Sequence, residues 1–202
     1  MKKTHPSSRS QKKKTDPVLR LAVSGDTGSF SEEAGLLYAQ RNGLKVKIIF
    51  AIDMERVLQT LDKKQADIGI FPVVNSRGGL VQPAFKAMGG HLFHYTDELW
   101  LEVYQCLMVK PGVSKKQIKK IATHSQAIAQ CERYIRKEFP NAKLIEWEDT
   151  AKAARDLAKG VLGRDTAVIA PARSAQIYKL KLLAKGIQDN HPNLTTFIVV
   201  KK

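Results

Sequence analysis

Between Val18 and Gly79 the chain alternates short apolar runs with amphipathic ones, and that alternation leaves few folds open. VLRLAVS (18–24) is an apolar run of strand length, followed by the loop GDTGSF (25–30). SEEAGLLYAQRNG (31–43) has acids in its first turn, apolar residues at helical spacing and a terminating Gly43. KVKIIFA (45–51) alternates as a strand does, and DMERVLQTLDKK (53–64) reads as a helix capped by Asp53. ADIGIFPVV (66–74) is a strand ending at NSRGG (75–79). Strand–helix–strand–helix–strand implies a parallel sheet with right-handed crossovers.

A long extended stretch, ELWLEVYQCLMVK (98–110), leads into a second group of the same kind. KKIATH (119–124), KLIEW (143–147) and DTAVIAP (165–171) read as strands. SQAIAQCERYIRKEF (125–139), DTAKAARDLAKG (149–160) and ARSAQIYKL (172–180) read as helices, and TTFIVV (195–200) is a final strand. The expected fold is α/β: two α/β subdomains around a cleft, with mixed sheets and flanking helices. The first comprises about 18–95 plus 185–202, the second about 105–180, with crossing strands between them. Such a cleft is where ligands usually bind.

The 202 residues carry 34 Lys and Arg against 19 Asp and Glu, a net +15. Residues 1–17 hold +5 of it and read as a basic disordered tail without the apolar core of a secretion signal. The remaining +10 lies in residues 18–202 and points to an anionic partner. Cys106 and Cys131 are too far apart in sequence to suggest a metal pair, and two reduced cysteines suit a cytoplasmic location. No run approaches the roughly 18 apolar residues of a membrane span.

Chemistry is expected in the loops leaving the carboxyl ends of the strands. GDTGSFS offers Gly28, Ser29 and Phe30 at a helix entry: either a cradle for a carboxylate or phosphate, or a glycine turn in which Ser31 caps the helix. It lacks the Gly-Lys-Ser/Thr of a phosphate-binding loop and the glycine spacing of a dinucleotide fingerprint. Asn75 and Ser76 are either turn residues or cleft donors. At 123–126, Ser125 is the expected cap, His124 is a candidate acid or base, and Gln126 and Gln130 share a helix face. There is no metal-ligand cluster.

Four segments, in order, resemble the prephenate dehydratase family. GDTGSFSEEAG resembles its G-P-x-G-T-F-S-x-x-A-A opening, and ADIGIFPVVNSRGG its A-D-x-G-V-x-P-I-E-N-S-x-x-G segment. IATHSQAIAQC resembles S-H-P-Q-A-L-x-Q-C, and IQDNHPNLTTF resembles I-Q-D-x-x-x-N-x-T-R-F. The resemblance implies two subdomains like a periplasmic binding protein of the second type. It also implies a cofactor-free carbon–oxygen lyase that converts prephenate to phenylpyruvate in L-phenylalanine biosynthesis, losing CO2 and the ring hydroxyl.

Carried over by position, Thr195 matches the catalytic threonine that assists the leaving hydroxyl. Gly28, Ser29, Phe30, Asn75, Ser76, Thr123 and Gln130 match substrate-contacting positions. Val74 stands where the family has glutamate and Thr196 where it has arginine; Ser125 and Asp26 replace prolines. Arg77 is a candidate replacement cation. The losses leave an alternative open: a catalytically impaired relative that binds a small anion.

The resemblance further implies a small dianionic substrate and a homodimer. It implies neither the phenylalanine-sensing ACT domain nor the chorismate mutase that some members carry, since few residues flank the motifs. Nucleic acid is not the expected partner, although the lysines of residues 1–14 offer a polyanion some attraction.

Overall fold

A computed structural model of the chain describes residues 17–202, so the basic tail expected at 1–17 lies outside the described residues except for Pro17. The first lobe runs through β1 (Leu19–Val23), α1 (Phe30–Arg41), β2 (Val46–Phe50), α2 (Met54–Asp62), β3 (Ile68–Asn75), β4 (Gly79–Leu80), α3 (Gln82–Met88) and β5 (His94–Glu102). The second holds β6 (Cys106–Val109), β7 (Lys120–Thr123), α4 (Ser125–Gln130), α5 (Glu132–Glu138), β8 (Lys143–Glu146), α6 (Thr150–Lys159), β9 (Thr166–Ala170), α7 (Ala172–Tyr178) and β10 (Lys181–Lys185). The last strand, β11 (Leu194–Lys201), returns to the first lobe.

The first sheet has the order β2-β1-β3-β11-β5, with β4 paired to β3. Its β1, β2 and β3 are parallel, as the alternation requires, while β11 enters between β3 and β5 antiparallel to both. The second sheet has the order β10-β6-β9-β7-β8 and is likewise mixed. Each sheet is covered on both faces. In the first, Leu21, Ile70, Leu99 and Phe197 pack toward α1, and Ala22, Phe71 and Val200 pack against Val57 and Leu61 of α2 and Ala84 and Ala87 of α3. Gly69 lets α2 approach β3 closely, because a Cβ there would sit 2.8 Å from Val57 and 2.9 Å from Leu61.

Four expectations need correction. Ser29, not Ser31, caps α1, its hydroxyl accepting from the Glu32 N–H at 3.2 Å. His124, not Ser125, is the cap of α4, with its ring nitrogen accepting from the Gln126 N–H at 3.3 Å. The stretch 98–110 is not one strand: β5 and β6 belong to different sheets, and 103–105 crosses between the lobes. The helix expected over 125–139 breaks at Cys131. There the Gln130 carbonyl accepts from the Asp189 N–H at 2.7 Å, and the Asp189 carboxylate accepts from the N–H groups of Arg133 and Tyr134 at 2.9 and 3.2 Å. A carboxylate from a distant crossing segment thus caps α5 and supplies the N-terminal partners that a continuous helix would have provided.

The crossing segments, 103–105 and 186–193, are tied together. The Val103 N–H donates to the Asn193 carbonyl at 2.7 Å and the Ile187 N–H to the Gln105 carbonyl at 2.9 Å. Because β10 pairs with β6, the second lobe extends through Lys185, beyond the boundary near 180 read from the sequence. Helix α3 and strands β4 and β10 are further elements that the periodicity left unmarked.

Candidate active site

Where β3 ends and β11 begins at the lobe junction, Asn75 and Thr195 are cross-strand partners, both buried. The Asn75 amide donates one proton to Thr195 Oγ1 and the other to Asn193 Oδ1, each at 2.8 Å. Its Oδ1 accepts from the N–H groups of Arg77 and Gly78 at 2.9 and 2.7 Å. Asn75 is therefore fully committed, with two donors and two acceptances in use. It holds the Thr195 oxygen through a lone pair and leaves the threonine O–H as a donor.

The chain of amides continues into the second lobe. Gln130 Oε1 accepts from Asn193 Nδ2 at 3.0 Å and from Gln105 Nε2 at 3.1 Å, while Gln188 Oε1 accepts from the Gln105 N–H at 3.0 Å. Gln105 Oε1 is buried without a hydrogen-bond partner. The break after Gln130 is what delivers this side chain to the crossing segments. Between the lobes lies a cavity of about 150 Å³, lined by Arg77, Gly78, Gln126, Gln130, Gln188 and Asn193 among others. No carboxylate lines it among the described residues. A larger open groove of about 340 Å³, between β2 and α2, lies on the outer flank of the first lobe and touches none of these residues.

Arg77 donates to the carbonyls of His191 and Pro192 at 3.2 and 3.3 Å, which pins the 75–79 turn to the crossing segment while the guanidinium still lines the cavity. Ser76 is placed beside it, its hydroxyl accepting from the Leu194 N–H at 2.9 Å. Thr123 stands apart: it is fully enclosed and donates to the Ile169 carbonyl at 2.7 Å within the second sheet.

Gly28, Ser29 and Phe30 serve a different contact, in which the first loop is clamped onto α6 and α7. Ser174 donates to the Gly28 carbonyl at 2.9 Å and Tyr178 to the Thr27 carbonyl at 2.8 Å. Arg155 pairs with Asp26, and Arg173 with Glu32 at 3.1 Å. The Gly28 N–H is itself taken by Glu32 at 2.7 Å, so the loop's donors are occupied by protein. Two carboxyls of this junction, Glu33 and Asp149, are pushed above the usual carboxylate range, chiefly by burial.

The structure brings Thr195, Asn75, Gln130, Arg77 and Ser76 together and sets Thr123 and the first loop elsewhere. Asn193, Gln188 and Gln105 went unassigned from the sequence, though the first two stand in the quoted I-Q-D-x-x-x-N-x-T motif. Among the described residues, no group of three or more His, Cys, Asp or Glu could hold a metal ion.

Two α/β lobes, two crossing segments and a polar junction between them define a cleft protein of the periplasmic-binding type. A periplasmic substrate-binding protein from Coxiella burnetii shares this fold at a TM-score of 0.52 and 18% identity, over 91% of this chain and 84% of that one. The sequence profile of the prephenate dehydratase family matches residues 21–202, and the chain belongs to that family. Arogenate dehydratase 1 of Petunia hybrida is 36% identical over 186 residues, 92% of this chain and 42% of that protein. Arogenate dehydratase/prephenate dehydratase 6, chloroplastic, of Arabidopsis thaliana is 36% identical over 185 residues, 91% of this chain and 43% of that one. Prephenate dehydratase from Arthrobacter aurescens, solved in complex with L-Phe, superimposes at a TM-score of 0.82 with 26% identity, over 91% of this chain and 60% of that one. The chain spans less than half the length of the curated relatives it matches.

Proposed function

We propose that this chain catalyses the decarboxylating dehydration of prephenate to phenylpyruvate, the step that leads to L-phenylalanine. The observation that carries the reading is the buried Thr195 hydroxyl at the lobe junction, whose oxygen accepts from Asn75 at 2.8 Å and which keeps its O–H to donate. As the ring carboxylate leaves as CO2, its bonding electrons aromatise the ring and expel the 4-hydroxyl. The Thr195 proton makes that group water, and the threonine oxygen is reprotonated from solvent. A positioned proton donor of this kind contributes about 10²–10⁴ in rate. Arg77 supplies the cation for a substrate carboxylate, and the amides of Gln130 and Asn193 bound the other side of the cavity.

The relatives named for arogenate raise the choice between two substrates. Arogenate carries an ammonium where prephenate carries a keto oxygen. The cavity presents a guanidinium and amides but no carboxylate among the described residues, which favours the dianionic keto acid. The test is to follow phenylpyruvate from prephenate and phenylalanine from arogenate with the same purified protein. Prephenate turnover at the higher kcat/KM supports the reading. A thermal shift with prephenate and no product would leave a binding protein instead.

The family resemblance also supports a homodimer, to be measured by sedimentation. Two buried, unpaired cysteines, Cys106 and Cys131, suit a cytoplasmic location.

A further inference from the structure

The fold's excess positive charge is not at the cleft. Residues 105–189, which make up the second lobe and its borders, carry 17 Lys and Arg against 8 Asp and Glu, a net +9. Residues 18–104 and 190–202 together carry 11 against 10, a net +1. A substrate dianion at the junction faces only Arg77 among the cavity-lining residues, so the small ligand leaves the +9 unexplained.

Topology concentrates that charge at one end of the second lobe. Strands β7, β8 and β9 are parallel, and their carboxyl ends point toward the cleft. At the opposite end, Lys119 precedes β7, Lys143 opens β8, Arg164 precedes β9, Lys110 follows β6 and Lys181 opens β10. The placements interlock: the Lys143 N–H donates to the Lys119 carbonyl at 2.9 Å, and Arg164 donates to the Pro111 carbonyl at 3.2 Å. Lys181 pairs with Val109, and Lys159 ends α6 beside Gly160, whose added Cβ would lie 3.6 Å from Lys110 Nζ. Lys116 and Lys179 flank the same end.

None of these eight cations forms a salt bridge with another described residue, whereas Lys115, Lys120, Arg133, Arg136, Lys152, Arg155 and Arg173 all do. Seven of the eight are exposed, and Lys110 is half-buried. Five strand ends at about 4.8 Å spacing give the patch a width of about 19 Å.

We propose that this end of the second lobe docks the phosphate backbone of nucleic acid. Seven of the eight groups are lysines, compact point charges without the fixed fork that reads a carboxylate in two bonds. The patch has no exposed tyrosine or tryptophan of the kind that anchors a protein interface. Its exposed large apolar neighbours are Val161 and Leu144, too little for the apolar face of a membrane-surface element. A row of lysines with little else suits a regular polyanion held by counterion release, without base readout.

The test is fluorescence anisotropy of the full chain with a labelled 24-base-pair duplex across a salt series. Phosphatidylserine vesicles and an acidic polypeptide run in parallel. The proposal expects duplex affinity to fall by about 10³-fold or more between 50 and 200 mM salt. Replacing Lys143, Lys159, Arg164 and Lys181 with Gln together should reduce the logarithmic salt slope by about 3 to 4. Replacing Lys116, Lys119 and Lys179 gives a second, independent variant, and an unchanged melting temperature checks each fold. If both variants bind the duplex with the parent's affinity and slope, the proposal is wrong. It is also wrong if only Lys12–Lys14→Gln removes binding, or if vesicles or the acidic polypeptide bind more tightly than the duplex.

Discussion

Val74 and Thr196 are direct cross-strand partners on the face of the first sheet opposite Asn75 and Thr195. A register shift after Thr196 places Phe197 against Pro72, so one extra β3 residue is accommodated there. Thr195 alternates in step with Phe197 and Val199 and faces the α1 side, whereas Thr196 faces the side of Ile198 and Val200. The two positions where the family resemblance places glutamate and arginine therefore lie back to back with Thr195, the proposed proton donor. Their row ends in exposed Leu80 and Trp100, not in the cavity. Losing both removes a cross-strand charge pair and leaves no charge stranded.

Restoring the pair should thus act on stability and not on chemistry. Val74→Glu alone or Thr196→Arg alone is expected to lower the melting temperature, and the double variant to recover part of the loss through a coupling of about 0.2–1 kcal/mol. Its kcat/KM for prephenate should stay within a few-fold of the parent. A rise of two orders of magnitude in the double variant would show that the pair belongs to the catalytic machinery.

Arg77 offers a sharper effect on binding. Arg77→Ala removes a charge-assisted contact of about 1.5–3 kcal/mol, so KM for prephenate should rise about 10- to 100-fold with kcat nearly unchanged. Because Arg77 also pins the turn to His191 and Pro192, Arg77→Lys tests whether charge alone suffices. An unaltered KM in Arg77→Ala would remove the residue from the substrate site.

Much of this arrangement is legible in the sequence. Periodicity marks both α/β lobes because β1, α1, β2, α2 and β3 each carry their own pattern and caps. The motif order brings forward Asn75, Gln130 and Thr195, which meet in space. What periodicity cannot show is tertiary capping: the break at Cys131 is set by Asp189, some sixty residues away. Nor can a lone hydroxyl reveal its direction, and Thr123 turns into its own sheet to satisfy the Ile169 carbonyl. The glycine loop at 25–30 reads either as an anion cradle or as a glycine turn, and its donors and carbonyls are spent on Glu32, Ser174 and Tyr178 at the lobe contact.

That clamp predicts a strict requirement at Gly28. Its φ of +89° lies in the left-handed region, and a Cβ would sit 2.7 Å from Ser174 Oγ and 3.2 Å from the Ser174 backbone. Gly28→Ala should lower the melting temperature and weaken prephenate binding together by separating the lobes, whereas Gly43→Ala, with open space around it, should affect binding little. Equal binding by the two variants would contradict the clamp.

A third region sets the pH dependence of stability. His91 bridges Glu55 at 2.9 Å and Asp62 at 2.5 Å; these bonds raise its pKa above the ordinary histidine value and lower that of Glu55, while Asp62 is held low first by Lys202 and then by His91. The histidine contribution is fully present below about pH 6.5 and is lost as pH rises through the raised folded value. The carboxylate contributions are present above about pH 4 and are lost as pH falls through the lowered ones. Melting temperature should therefore peak in mildly acid solution, and His91→Gln should flatten the alkaline limb. A parent and variant with parallel pH profiles would rule this out.

The most direct test compares kcat for prephenate dehydration in Thr195→Val, Thr195→Ser and the parent, with prephenate binding measured by thermal shift. Valine keeps the shape and removes the O–H; serine restores it. The account predicts a loss of about 10²–10⁴ in kcat for valine, largely recovered by serine, with binding retained in both. A valine variant that forms phenylpyruvate at the parent's rate would contradict it.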